Sequence, residues 1–157
     1  MPKPITLDKA IDRAQWLCSQ QEKCSYDIRK KLIQWGIDSE NIQSVIDSLL
    51  NDGFIDESRY AVTFAREKAR FSKWGPKKIE YALRSKHISD KHIKRALKEA
   101  EEFVDKDTLK ELLTKKARSV NHKNSYDLKV KLLRFGVSRG FEYDDVKSIL
   151  STILESD

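Results

Sequence analysis

Glycine and proline are scarce, five and three in 157 residues, and sustained period-two alternation of apolar and polar residues is absent. Asp52-Gly53 is flanked by helical patterning rather than by β-branched runs, so neither strands nor hairpins are indicated and long stretches are free to be helical. Two cysteines, Cys18 and Cys24, are too few for a disulfide framework, and without a secretory signal they point to a reducing cytoplasm. No apolar run approaches the ~20 residues that span a bilayer, so a soluble protein without membrane contact is expected. The three histidines, His87, His92 and His122, stand at no metal-ligand spacing with one another or with either cysteine. Gly-rich phosphate loops, Gly-x-Ser-x-Gly and HExxH are missing as well. The expectation is a protein that is not an enzyme and carries no cofactor or metal.

Charge is abundant: 36% of residues are Asp, Glu, Lys or Arg, the net charge is +6 and the pI is near 9.2. Its placement is uneven. Residues 1–56 carry 7 basic against 9 acidic side chains, residues 57–100 carry 13 against 5, and residues 101–157 carry 11 against 11. The excess therefore lies in the middle third, which suggests an anionic partner for that region.

The chain repeats itself. Ser25-Tyr26-Asp27-Ile28-Arg29-Lys30-Lys31-Leu32-Ile33-Gln34-Trp35-Gly36-Ile37 recurs, with conservative changes, from Ser125 to Val137, and Pro76 to Ile88 keeps the apolar skeleton Ile79, Leu83 and Ile88. Each copy reads as a short amphipathic helix, started by Ser25, by Gly75 with Pro76, or by Ser125, and stopped at Gly36, His87 or Gly136. A second amphipathic helix follows each copy, capped by Asp38 in the first and Ser89 in the second, with Ile37/Ile42 and Ile88/Ile93 as staples. In the third copy this helix, with Val146, Ile149, Leu150 and Ile153, is delayed by an insertion around Ser138–Tyr143. A longer helix precedes each copy, near 6–19, 57–71 and 107–120. The fold class expected is all-α: three tandem three-helix repeats, at 1–55, 56–103 and 104–157, in an elongated, curved, solenoid-like array. The acidic segment Glu101–Lys106 is the candidate hinge.

One corner organises the array. Gly53 can take the left-handed conformation that closes a helix after Leu49 and Leu50, Phe54 can fold back on its last turn, and Asp56 suits the N-cap of the next helix. Ile55 and Tyr60 have staple spacing. Capping chemistry asks for no arginine at position 59, so Arg59 is read as opening a charged face.

That face continues through the middle repeat. Arg59, Arg66 and Arg70 share one side of its first helix, Lys73, Lys77 and Lys78 lead from the turn into its second, Arg84 and Lys86 follow, and Lys91, Lys94, Arg95 and Lys98 form a stripe on its third. Two accounts are open: a lysine-rich solvated surface, or an electrostatic footprint for a phosphate backbone or an acidic protein groove. No cluster of base-reading side chains stands out, so nucleic-acid binding would be independent of sequence. Trp35 aligns with Phe135 and reads as packing, whereas Trp74, in a basic turn, is the aromatic kept as a contact candidate.

Gly53-Phe54-Ile55-Asp56-Glu57-Ser58-Arg59-Tyr60-Ala61, continued by Phe64, Arg66, Arg70 and Gly75, resembles the signature of the bacterial RecX family, and the likeness runs from about Leu7 to Leu154. The resemblance implies a helical-repeat regulator that binds the RecA recombinase filament on single-stranded DNA, in its groove or at its growing end, and suppresses recombination and the SOS response. On that reading the thirteen residues named above, from Arg59 to Lys98, contact DNA phosphates or acidic recombinase surface, and the chain acts as a monomer. The third copy lacks the Gly-Phe-Ile-Asp corner. The alternatives are a nucleic-acid-binding protein acting without a recombinase, separable by salt titration, and a scaffold for an acidic protein.

Overall fold

The structure, a computed structural model, describes residues 5–155; the outermost positions assigned above to the 1–55 and 104–157 units lie outside them. The described residues form nine α-helices and one 3-10 turn, with no strand: α1 Leu7–Gln20, α2 Ser25–Gln34, α3 Ser39–Asn51, α4 Glu57–Arg70, α5 Pro76–Ser85, α6 Asp90–Glu99, the turn Glu101–Phe103, α7 Lys106–Ser119, α8 Ser125–Ser138 and α9 Tyr143–Glu155. The first helix of each triplet starts on a side-chain cap: Thr6, Asp56 and Asp105 accept from the N–H groups of Lys9, Arg59 and Thr108.

Each triplet closes over its own core. Ile28, Leu32, Ile42, Val45, Ile46 and Leu49 fill the first, Ala61, Ala65, Ile79, Leu83, Ile93 and Ala96 the second, and Leu109, Leu113, Leu132, Val146 and Leu150 the third. Burial of each large aliphatic side chain contributes about 1.5–3 kcal/mol. The second core is lined by alanine on α4, which lets α4 and α6 approach closely. Three small cores in a row leave much surface: the accessible area is 10386 Å², against about 8,100 Å² for a compact monomer of this mass. An extended helical array follows.

The corner at Gly53 is a Schellman motif. Gly53, at φ +77°, donates to the Leu50 carbonyl at 3.2 Å, and Phe54 donates to that of Leu49 at 2.9 Å. The same pair of bonds ends α2 at Gly36 and α5 at His87, whose φ of +61° is carried by a non-glycine residue. Ile55 and Tyr60 do not staple to each other: Ile55 enters the first core and Tyr60 the second, so the corner spans two cores.

Four further expectations are corrected. Ser25 and Ser125 are the first helical residues rather than caps; the cap positions are Cys24, without a side-chain bond, and Asn124, which accepts from Asp127 N–H at 2.8 Å. Asp38 sits at the cap of α3 but makes no capping bond. Gly136 does not end α8. It lies inside the helix, where a Cβ would come within 2.7 Å of Val146 on α9, so glycine serves close helix packing there and the stop moves to Gly140 at φ +99°. Residues 101–106 are not a loose hinge, because Phe103 packs on the second core, Val104 packs on both the second and third, and Asp105 caps α7.

Neighbouring repeats meet at two joints. At the first, Cys24 is fully buried in the second core, the Glu57 carboxylate accepts from Ser25 N–H at 2.8 Å and from its hydroxyl at 3.2 Å, Lys86 pairs with Asp27 at 2.6 Å, and Tyr26 lies against His87. Burial pushes the Cys24 thiol up to about 12, so it stays protonated and serves as a plug. At the second joint, α8 ends against the start of α5: Gly75 N–H donates to the Arg139 carbonyl at 2.6 Å, and Lys77 N–H to the Gly140 carbonyl at 3.0 Å. The orphan carbonyls of one helix thus satisfy the orphan amides of another. Arg139 also donates to the Ser72 carbonyl, and Lys77 pairs with Glu142 at 3.1 Å.

Candidate nucleic-acid and recombinase interface

Lys91, Lys94, Arg95 and Lys98 point away from Ile93 and Ala96 because the apolar residues of α6 take its inner face. All four are exposed, and none makes an ion pair. Arg95 reaches across to α4, donating to the Ser58 hydroxyl at 3.3 Å. Arg95, Arg59 and Arg66 consequently line one open hollow of about 380 Å³, floored by Val62 and Thr63 and edged by Ser58 and Asp56.

The arginines of α4 differ. Arg59 donates to Glu22 at 2.6 Å and to the Gly53 carbonyl at 3.0 Å, so the corner does use it: it ties the turn to the α1–α2 connection. The bond to Glu22 raises its pKa further. Arg66 pairs with Glu99 at 2.8 Å and links α4 to α6. Arg70 has no acidic partner; its guanidinium lies 5.2 Å from the Phe71 ring centroid and 5.9 Å from that of Phe103.

Three of the remaining sequence candidates are already held by carboxylates. Arg84 is held by Glu80 and Asp90, Lys86 sits in the first joint, and Lys77 sits in the second. Trp74 is partly buried on the second core, edge-on to Phe64, with Lys68 and Lys78 over its ring at 4.8 and 4.7 Å. Lys73 is exposed at φ +56° in the α4–α5 turn. The sequence pattern did not single out Phe71, which stands 73% exposed beside Arg70. Among the described residues no group of three or more His, Cys, Asp or Glu could hold a metal, and no helix is long and apolar enough to cross a membrane.

Three tandem three-helix units with an unpaired cationic stripe on the middle one define a helical-repeat protein. Comparison with known proteins refines this. Residues 56–97 match the model for the RecX second three-helix domain, and residues 105–150 that for the RecX third three-helix domain. A regulatory protein RecX of Haemophilus ducreyi is 32% identical over 141 residues, which cover 90% of this chain and 87% of that protein. One from Clostridium tetani is 34% identical over 137 residues, 86% of this chain and 62% of the relative, so the chain spans about three-fifths of the length of that clostridial relative. The crystal structure of RecX from Lactobacillus salivarius superposes with a TM-score of 0.73 at 24% identity over 92% of this chain and 94% of that one. A second crystal structure of regulatory protein RecX gives 0.82 at 25% identity, covering 92% of this chain and 71% of that one. The chain belongs to the RecX family of regulatory proteins.

Proposed function

We propose that this chain binds the RecA recombinase filament on single-stranded DNA and inhibits its activity, as a cytoplasmic monomer that damps recombination and the SOS response. The observation that carries the reading is the unpaired stripe of Lys91, Lys94 and Lys98 with Arg95, contiguous with the hollow between α4 and α6. Like charges at this spacing repel, each pair costing a few tenths of a kcal/mol. An anionic surface relieves that repulsion on contact and releases counterions from DNA. Family membership supports the choice of recombinase. The absence of a base-reading cluster suits a sequence-independent contact.

The test is a quadruple reversal, Lys91→Glu, Lys94→Glu, Arg95→Glu and Lys98→Glu. These side chains are solvent-exposed, so helicity by circular dichroism should be unchanged, while inhibition of RecA ATPase and shortening of the lifetime of preformed filaments should fall at least tenfold. Full inhibition by the folded variant would overturn the assignment. A salt titration of single-strand binding with and without recombinase separates the other reading: high affinity for bare DNA to which recombinase adds nothing identifies a nucleic-acid-binding protein acting alone.

A further inference from the structure

We infer that Phe71 is a stacking platform for an unpaired nucleobase, at the end of the cationic track on α4; the inference rests on the single-stranded DNA half of the function proposed above. A lone exposed ring is ordinary on a protein surface. Among the exposed large aromatics of the described residues, Trp16, Phe71, Tyr81, Tyr126 and Tyr143, only Phe71 has a cation held over its ring. That cation, Arg70, is the arginine of α4 without an acidic partner. Its guanidinium lies near two rings, and no carboxylate pairs with its N–H donors.

The surroundings choose the ligand. Phe71 and Arg70 form a hollow of about 330 Å³ with Phe103, Arg66, Glu67 and Glu102. Two carboxylates there oppose a phosphate inside the hollow, because Arg66 is already paired with Glu99. They do not oppose a neutral aromatic ring, and a base offers N–H donors, thymine its ring N–H, from which carboxylates accept. A base laid on Phe71 places its sugar-phosphate outside the hollow. Arg66 lines both this hollow and the one it shares with Arg59 and Arg95, so the two lie side by side on α4 and a strand leaving one meets the other across Arg66. Bases in a duplex are stacked and paired, so a platform of this kind selects single strands.

The experiment compares the unaltered chain with Phe71→Ala and Phe71→Trp at fixed salt, on a fluorescent oligothymidylate, its abasic counterpart and a duplex of equal length. Phe71→Ala should weaken oligothymidylate binding about tenfold and leave duplex and abasic binding unchanged, and Phe71→Trp should restore it. Equal single-strand affinity for Phe71→Ala and the unaltered chain overturns the inference, as does equal loss on single strand and duplex. Loss confined to recombinase binding, with bare-strand affinity intact, assigns Phe71 to a protein partner and also overturns it. If the unaltered chain shows no salt-sensitive single-strand binding, the DNA half of the proposed function falls with it; binding that ignores residue 71 removes this inference alone.

Discussion

The two joints between repeats use opposite chemistry. The first, between repeats one and two, is built from side chains: the Cys24 plug, the Glu57 carboxylate on the start of α2, the Lys86–Asp27 and Arg59–Glu22 pairs and the Tyr26–His87 contact. The second is built chiefly from backbone, with the carbonyls of Arg139 and Gly140 capping the amides of Gly75 and Lys77. A joint of many side chains loses a fraction of its strength with each substitution. A joint of close backbone fails when a single Cβ is added.

Gly140→Ala should therefore have the largest effect. A Cβ there would fall 2.4 Å from Lys78 Cβ and 2.6 Å from its amide nitrogen, on a backbone at φ +99° that L side chains rarely adopt. Steric overlap and backbone strain together cost roughly 2–4 kcal/mol. Because the third core is separate, the damage should be confined: the amides of Gly75 and Lys77 should exchange with solvent much faster, while those in the second core, such as Leu83, keep their protection. Gly75→Ala, whose Cβ would lie 2.4 Å from the Gly140 carbonyl, should match it. Unchanged protection at Gly75 and Lys77 in both variants would show that the helix ends are not what joins the repeats.

Glu57→Ala tests the other joint at smaller cost. Glu57 is the first residue of α4 and its carboxylate caps α2 from the neighbouring repeat, so it lies near two helix N-termini at once. Loss of a cap costs about 1 kcal/mol. The remaining side chains should hold the joint, giving a fall of a few degrees in melting temperature and faster exchange at Ser25 without separation of the repeats. If Glu57→Ala freed the first repeat as fully as Gly140→Ala frees the third, the contrast between the joints would be lost.

The cores and helix periods were legible in the sequence because both follow from local spacing: Ile28/Leu32, Ile79/Leu83 and Ile93/Ala96 announce their buried faces within one turn. The corner at Gly53 was legible for the same reason, its bonds running between residues a few positions apart. What spacing could not give was any role fixed by a distant partner. Ser25 looks like a cap until Glu57, 32 positions away, takes its amide. Gly136 looks like a helix stop until Val146 packs on it, and Arg59 looks like a free charge until Glu22 and the Gly53 carbonyl claim it. The basic stripe on α6 and the arginine side of α4 were likewise visible as helical spacing, whereas the exposure of Phe71 and the isolation of Arg70 depend on where Phe103 and Glu102 come to lie.

The smallest effect concerns acid. Hydrogen bonds from the Thr108 amide and hydroxyl hold the Asp105 carboxyl below its ordinary value, and the Lys123 amide, followed by Lys131, does the same for Asp127. Both carboxyls bind protons less readily folded than unfolded, so below the ordinary value of 3.8 the unfolded chain takes up more protons than the folded one. The stability they confer is complete above that pH and fades as pH falls through their folded values. Asp105 is exposed and Asp127 half-buried, at the starts of α7 and α8, and both are open enough to solvent for screening to keep the effect small. Hydrogen exchange at Leu113 and Leu132 should thus accelerate, relative to the intrinsic rate, as pH falls below about 4. Asp105→Asn with Asp127→Asn should lower protection at neutral pH and flatten that acid dependence. An acid response of the third repeat that the double variant leaves unchanged would place its origin outside these two helix starts.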